Sequence, residues 1–311
     1  MSSVPPPQPA AAPPTLSEEG HDAPPEHTEH PEHLPGWPAW TAPVAMLVGF
    51  LVTIFVAAIV TIALGAATSP EDAADQPGLN VGLTFVQHAA LIGSALVFAQ
   101  MVARPWPRDF GLRATRLGPG VGWALLTVLV FLAATVILAL TLGVEEESTD
   151  NVLDSLGVGE SALLFVGAAL VVCVGAPIAE EIFFRGYFFT ALRTSMGIAT
   201  ASVITGLIFG AIHIPNFLGD AATNELVAGV VALSLFGGAL CLLYVRTGSL
   251  YPCIGAHAIN NCLAFSVAEG LAVLEAIAVF AGTAVVITVV LWPFHRLRPP
   301  ATGALAPAPA S

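Results

Sequence analysis

Three short runs of polar residues interrupt otherwise apolar stretches of this 311-residue sequence. They are Glu180-Glu181-Ile182-Phe183-Phe184-Arg185-Gly186, Phe209-Gly210-Ala211-Ile212-His213 and His257-Ala258-Ile259-Asn260-Asn261. Glu181 and Arg185 are four apart with the acid first, the favourable order for an ion pair along a helix. Pairing reduces the penalty of burying both and leaves Glu180, about 100° further round the helix, free for other work. A Glu and a His together can hold and deprotonate water, and a second His with an Asn offers donors to the oxyanion of a tetrahedral intermediate. These are the parts of a peptide-bond hydrolase that needs no Ser or Cys nucleophile. Glu180, His213 and His257 are equally the side chains that ligate zinc or another divalent metal in catalytic sites, with water in the fourth position. No HExxH is present, and spacing alone leaves both readings open.

The elements that carry these residues must bring them to one level. A turn near Ser195-Met196-Gly197 separates the first two runs. Counted from residue 196, Glu180 is 16 residues back and His213 is 17 forward. At about 1.5 Å per helical residue, both lie roughly 24–26 Å from the turn, so antiparallel neighbours place them side by side. His257 and Asn261 are four apart and share a helix face. Three helices can thus present Glu, His and His/Asn to one cavity. His88 stands alone in its stretch and reads as a structural residue.

Composition says what surrounds these helices. Hydrophobic residues make up 56% of the chain and charged residues 10%, against about 25% charged in ordinary soluble domains. The mean hydropathy is +0.82. A soluble enzyme is excluded, and the lipid bilayer is the solvent. Apolar stretches near 42–66, 82–103, 121–143, 161–192, 197–215, 226–245, 249–267 and 272–294 are too long for strands and lack two-residue alternation. The sequence therefore predicts an all-α, polytopic transmembrane helix bundle of about eight spans. The fourth is too long for a simple crossing. Gly175 and Pro177 are placed to kink it, unless its end projects beyond the membrane.

Charge sets orientation. The net charge is −13, from 22 acidic and 9 basic residues, and every basic residue is Arg. Arg104, Arg108, Arg113, Arg116, Arg193, Arg246, Arg296 and Arg298 all fall on one side if eight spans alternate. The loops of the other side carry acids: Glu71, Asp72 and Asp75, then Glu145 to Glu147, Asp150 and Asp154. By the positive-inside rule both termini are cytoplasmic. The segment Arg104 to Arg113, which mixes Arg with Trp106 and Phe110, is expected to lie along the inner interface. No cluster of basic residues offers a nucleic acid its phosphate contacts. The four cysteines, Cys173, Cys241, Cys253 and Cys262, sit in apolar stretches without CxxC spacing and read as buried small hydrophobes.

Four regions follow. Residues 1–40, rich in Pro, His and Glu, are expected to be a disordered tail, with no basic segment before an apolar stretch as a signal peptide would need. Its His21, His27, His30 and His33 are weak metal ligands at best. Residues 41–144 hold the first transmembrane helices, 145–295 the core that bears the polar runs, and 296–311 a disordered C-terminal tail.

Glu180-Glu181-x-x-x-Arg185, Phe209-x-x-x-His213 and His257-x-x-x-Asn261, in that order, resemble the three motifs of the CAAX protease and bacteriocin-processing (CPBP) family. That family includes the type II CAAX prenyl endopeptidase. Phe184-Arg185-Gly186, Leu207-Ile208-Phe209-Gly210 and Ala256 to Asn261 agree as flanks, and the likeness covers roughly 160–267. The resemblance implies an intramembrane endopeptidase acting on a membrane-associated peptide, prenylated or bacteriocin-like. Glu180 and His213 would activate water, His257 and Asn261 would stabilise the oxyanion, and Glu181 and Arg185 would organise the site. Relatives are usually named metalloproteases, although a metal-free glutamate mechanism has been argued for the prenyl protease. Abundant Ala and Arg with no Lys suggest a GC-rich genome and hence a prokaryotic plasma membrane. The expected partners are membrane lipid and a peptide or protein substrate. The rival readings are a proton-coupled transporter using the same Glu and His, and a catalytically silent membrane scaffold.

Overall fold

The computed structural model describes residues 34–63, 76–144, 151–217 and 222–297, and no strand occurs among them. Helices occupy all eight apolar places: α1 Thr41–Ala63, α2 Pro77–Gln100, α3 Leu117–Leu142, α4 Ala162–Leu192, α5 Ile198–Ile212, α6 Thr223–Thr247, α7 Leu250–Ala268 and α8 Val273–Arg296. Six of them are long and apolar enough to cross a membrane. The other two are α5, with 15 residues, and α7, whose 19 residues include His257, Asn260 and Asn261. Large apolar side chains such as Ile54, Phe55, Leu129, Leu140 and Val289 are exposed on the outside of the bundle. In water such a surface would drive aggregation, whereas in lipid it is the solvated face. The protein is a multi-pass integral membrane protein.

The chain runs back and forth between two ends. At one, Leu250 N–H donates to the Gly111 carbonyl, Ser249 Oγ to the Arg113 carbonyl and Thr194 Oγ1 to the Trp37 carbonyl. At the other, Asn80 Nδ2 donates to the Ser155 carbonyl and Asn224 Nδ2 to the carbonyls of Leu142 and Gly143. Residues 151–160 fold back under this second end. Leu153, Leu156 and Val158 are buried there with Cys173, Cys262 and Phe265. All four cysteines are free and buried.

Helix α4 is not α-helical throughout. It widens into two π-helical segments, Leu170–Gly175 and Ile182–Phe189, on either side of Glu180 and Glu181. In the first, Ala176 N–H bonds the Val171 carbonyl five residues back. The next donor in that series is Pro177, which has no N–H, so the Val172 carbonyl is left without a partner in its own helix.

Helices α5 and α6 approach closely because glycines meet. A Cβ on Gly206 would lie 2.5 Å from the Ser234 carbonyl oxygen and 2.8 Å from Gly238 N. Gly206 and Gly210 form a GxxxG pair, the small-residue spacing that lets helix backbones pack in lipid.

Two boundaries differ from those expected. The first 33 residues of the 1–40 tail lie outside the described residues, but Trp37 is 2% exposed and packs on Phe110 and Tyr187. A proline-rich segment needs no helix to bury an indole, so the ordered chain begins before residue 40. The division at 144/145 marks sequence likeness and not a packing boundary, since α3 packs on both α6 and α7. In the C-terminal tail, 298–311 lie outside the described residues.

Candidate active site

Glu181 and Arg185 are fully buried, and Arg185 Nη1 donates to Glu181 Oε1 at 2.7 Å. Arg185 Nη2 donates to the Gly237 carbonyl at 2.9 Å, and its guanidinium stacks 4.7 Å from the Phe209 ring. The close approach of α5 and α6 brings both of those partners within reach. On the same helix, Gly186 is required by a neighbour, because a Cβ there would sit 2.8 Å from the Phe110 carbonyl oxygen. The ion pair therefore anchors α4 to α5 and α6 and is compensated on several sides, as a buried charge must be.

The Glu181 oxygen that holds Arg185 also lies 2.8 Å from His257 Nδ1. A carboxylate accepts, so Nδ1 donates and the ring turns its Nε2 the other way. That Nε2 lies 3.9 Å from Glu180 Oε2. His213 is arranged likewise. Its Nδ1 lies 2.6 Å from the Phe209 carbonyl, which can only accept, and its Nε2 lies 3.9 Å from Glu180 Oε2. The end of α5 fixes this placement. Pro215 cannot donate into the helix, so α5 stops and His213 becomes its C-cap.

Glu180 Oε2 is buried and makes no direct hydrogen bond. Two imidazole Nε2 atoms thus face one carboxylate oxygen across gaps too long for a direct bond. A water molecule has two hydrogens, and at about 2.8 Å it can donate to Glu180 Oε2 and to one of the facing Nε2 atoms. The same three atoms were the metal candidates. Two ligands of one tetrahedral zinc, each at about 2.0–2.1 Å, stand roughly 3.4 Å apart, and these pairs are 3.9 Å apart. No three such side chains are grouped to hold a metal ion among the described residues. As placed, the residues fit a shared water better than a shared ion.

These groups line a cavity of about 670 Å³. Its walls mix Phe209, Phe236 and Leu91 with Gln87, Asn216 and Asn260, the apolar lining with a few polar groups that suits an organic ligand.

Two residues take positions that the sequence did not foretell. Asn261 Nδ2 donates to the Val172 carbonyl at 2.9 Å, the one orphaned by Pro177. One of its two amide hydrogens is therefore engaged in joining α7 to α4. His88, read as structural, is 7% exposed, lines the same cavity, and leaves Nδ1 buried without a partner. It fits there because position 175 is glycine, where a Cβ would stand 2.8 Å from His88 Nδ1. Nothing in the sequence links position 88 to position 175.

Residues 162–263 match the family described as type II CAAX prenyl endopeptidase, Rce1-like. The match takes in about a third of the chain. Glu180, Glu181, Arg185, His213, His257 and Asn261 all lie within the Rce1-like segment, whereas His88 lies outside it. An uncharacterized protein of Bacillus subtilis (strain 168), YyaK, is 33% identical over 97 residues. That match covers 31% of this chain and 31% of the relative, so the chain spans under a third of the curated relative it matches. No solved structure matches the chain.

Proposed function

We propose that this protein is an intramembrane endopeptidase that hydrolyses a peptide bond in a membrane-associated peptide with water activated by Glu180. The observation that carries the reading is the buried, unbonded Glu180 Oε2 standing 3.9 Å from the Nε2 atoms of both His213 and His257 inside a ligand-sized cavity. The Rce1-like segment supports the reaction class.

Water held between Glu180 Oε2 and a facing imidazole gives a proton to Glu180 as its oxygen attacks the scissile carbonyl carbon. The carbonyl oxygen becomes the oxyanion. The second Nδ2 hydrogen of Asn261 and the amide of Asn260, both on the cavity wall, are the donors that α7 offers it. The proton then passes to the leaving amine, directly or through His213, and the tetrahedral intermediate collapses to acid and amine. Glu181 holds the His257 ring in one tautomer, and Arg185 holds Glu181. These two position the reacting groups without touching the substrate. No step requires a metal.

The test is cleavage of a peptide library by the purified protein in lipid, with and without a chelator. Cleavage should persist in the chelator. Glu180→Gln should lower the rate by about 10²- to 10⁴-fold, the usual size of a general-base contribution, with no loss of folded protein. Full activity in Glu180→Gln would refute the mechanism, and chelator-sensitive cleavage would assign the triangle to a metal.

A further inference from the structure

The two ends of the bundle differ in charge, and the cavity reaches only one of them. Arg104, Arg108, Arg113, Arg116, Arg193, Arg246 and Arg296 all belong to the end where Gly111 meets Leu250 and Trp37 meets Thr194. Among the described residues the opposite end has no basic residue, and it holds Asp154, Glu160, Glu225, Glu269 and Glu275. The cavity is lined by Asn80 at the start of α2, by Leu153, Ser155 and Leu156, and by Asn216 just past the end of α5. All of these belong to the acidic end. No residue of the arginine end lines it. Its deepest part is the Glu180, His213 and His257 triangle.

Arginines in short loops are retained on the cytoplasmic side during insertion. With every described loop arginine at one end, that end is inside. We infer that the cavity opens on the extracytoplasmic side, and that the substrate is a peptide segment presented at that face and not a lipidated C-terminus arriving from the cytoplasm. This rests on the endopeptidase reading for what happens in the cavity, but the direction of access stands on geometry and charge alone.

The chemistry of the mouth narrows the substrate class. Ser155 and Asn216 are exposed, and Asn80 is half-buried beside them. They make the rim polar and uncharged, which suits a peptide better than a long apolar chain. Asp154 and Glu160 stand exposed on the same end. Their field disfavours a phosphate or a free carboxylate and favours a neutral or basic segment. The substrate is therefore a neutral or basic peptide stretch at the outer face of the membrane.

Thiol labelling tests the direction without requiring proteolysis. The four native cysteines are buried, which keeps the background low. Ser155→Cys places a thiol at the mouth, and Ala114→Cys places one at the arginine end, where position 114 is exposed. A membrane-impermeant maleimide applied to intact bacterial cells should label Ser155→Cys. It should label Ala114→Cys only after the cells are permeabilised, and denatured samples of both should label equally. Labelling of Ala114→Cys in intact cells, or protection of Ser155→Cys until permeabilisation, overturns the proposal and leaves the hydrolytic mechanism untouched. A fluorescent protein that folds only in the cytoplasm, fused after residue 311, gives a second readout. It should fluoresce, and a dark fusion of full length counts against the orientation. For the substrate class, a neutral or basic reporter peptide should be cleaved at least tenfold faster than the same peptide with acidic flanks. Equal rates would overturn that part.

Discussion

One carboxylate oxygen, Glu181 Oε1, receives both the Arg185 guanidinium and the His257 imidazole, while Glu181 Oε2 is buried without a partner. The arrangement makes the charge of Glu181 indispensable and its second oxygen dispensable. Glu181→Gln should leave a fully buried guanidinium without its counter-charge, a change that costs about 3–5 kcal/mol when a buried pair is broken. A marked fall in melting temperature in detergent, measured beside Glu180→Gln as a control of unchanged stability, checks this. Gly175→Ala sets a Cβ against His88 Nδ1 at 2.8 Å. It should displace His88 and lower cleavage by about tenfold or more while leaving the fold in place. Equal kcat and KM in Gly175→Ala and the parent protein would show that His88 serves packing alone. The six motif residues were legible because ionisable groups in apolar stretches are rare and expensive. His88 was not, since a single histidine has no spacing to read and its partner position is a glycine far away in sequence.

Helices in this protein are shaped by what the backbone lacks. Pro177 lacks an N–H, the Val172 carbonyl goes unsatisfied, and Asn261 answers it from α7. Gly206 and Gly210 lack side chains, and α6 moves in until the Gly237 carbonyl meets Arg185. Gly210→Val should separate α5 from α6, withdraw both Phe209 and Gly237 from the guanidinium, and abolish cleavage together with a drop in thermal stability. Retained activity in that variant would show that the close approach is not needed. The eight helical places were legible from length and hydropathy, and the GxxxG pair stands in the sequence for anyone who looks for it. The π-helical segments were not legible, because their position depends on which carbonyl a missing proton leaves orphaned once the helix has widened. The same is true of Asn261, whose type suggested a donor but whose acceptor is a backbone atom on another helix.

At the scale of the molecule, apolar side chains face outward along the helices and the polar ones gather inside, the reverse of a water-soluble protein. The arginine end is held together by contacts from well before α1. Trp37 fills a space between Phe110 and Tyr187, its carbonyl accepts from Thr194, and Tyr187 donates to Thr41 Oγ1. Trp37→Ala should destabilise the bundle by about 3 kcal/mol or more, as large-to-small changes of buried aromatics do. Melting temperature reads this, and an unchanged value would mean that the segment before α1 contributes nothing to the fold. Composition read that segment as part of a tail because its prolines outweighed its two indoles. Only the three-dimensional position of Phe110 and Tyr187 shows where the Trp37 indole goes.

Helix α5 ends at Ile212, about 22 Å from its start at the usual rise per residue, which is short of a bilayer's thickness. The chamber sits around its tip. The room for a guest is thus made by subtraction, as a shaft cut short leaves a hollow beneath it. Asn216, just past the tip, lines the chamber, while the reactive groups stay fixed on α4, α7 and His213 at the tip itself. A lineage could exchange one guest for another by rewriting the few residues after His213, with no disturbance to the chemistry below.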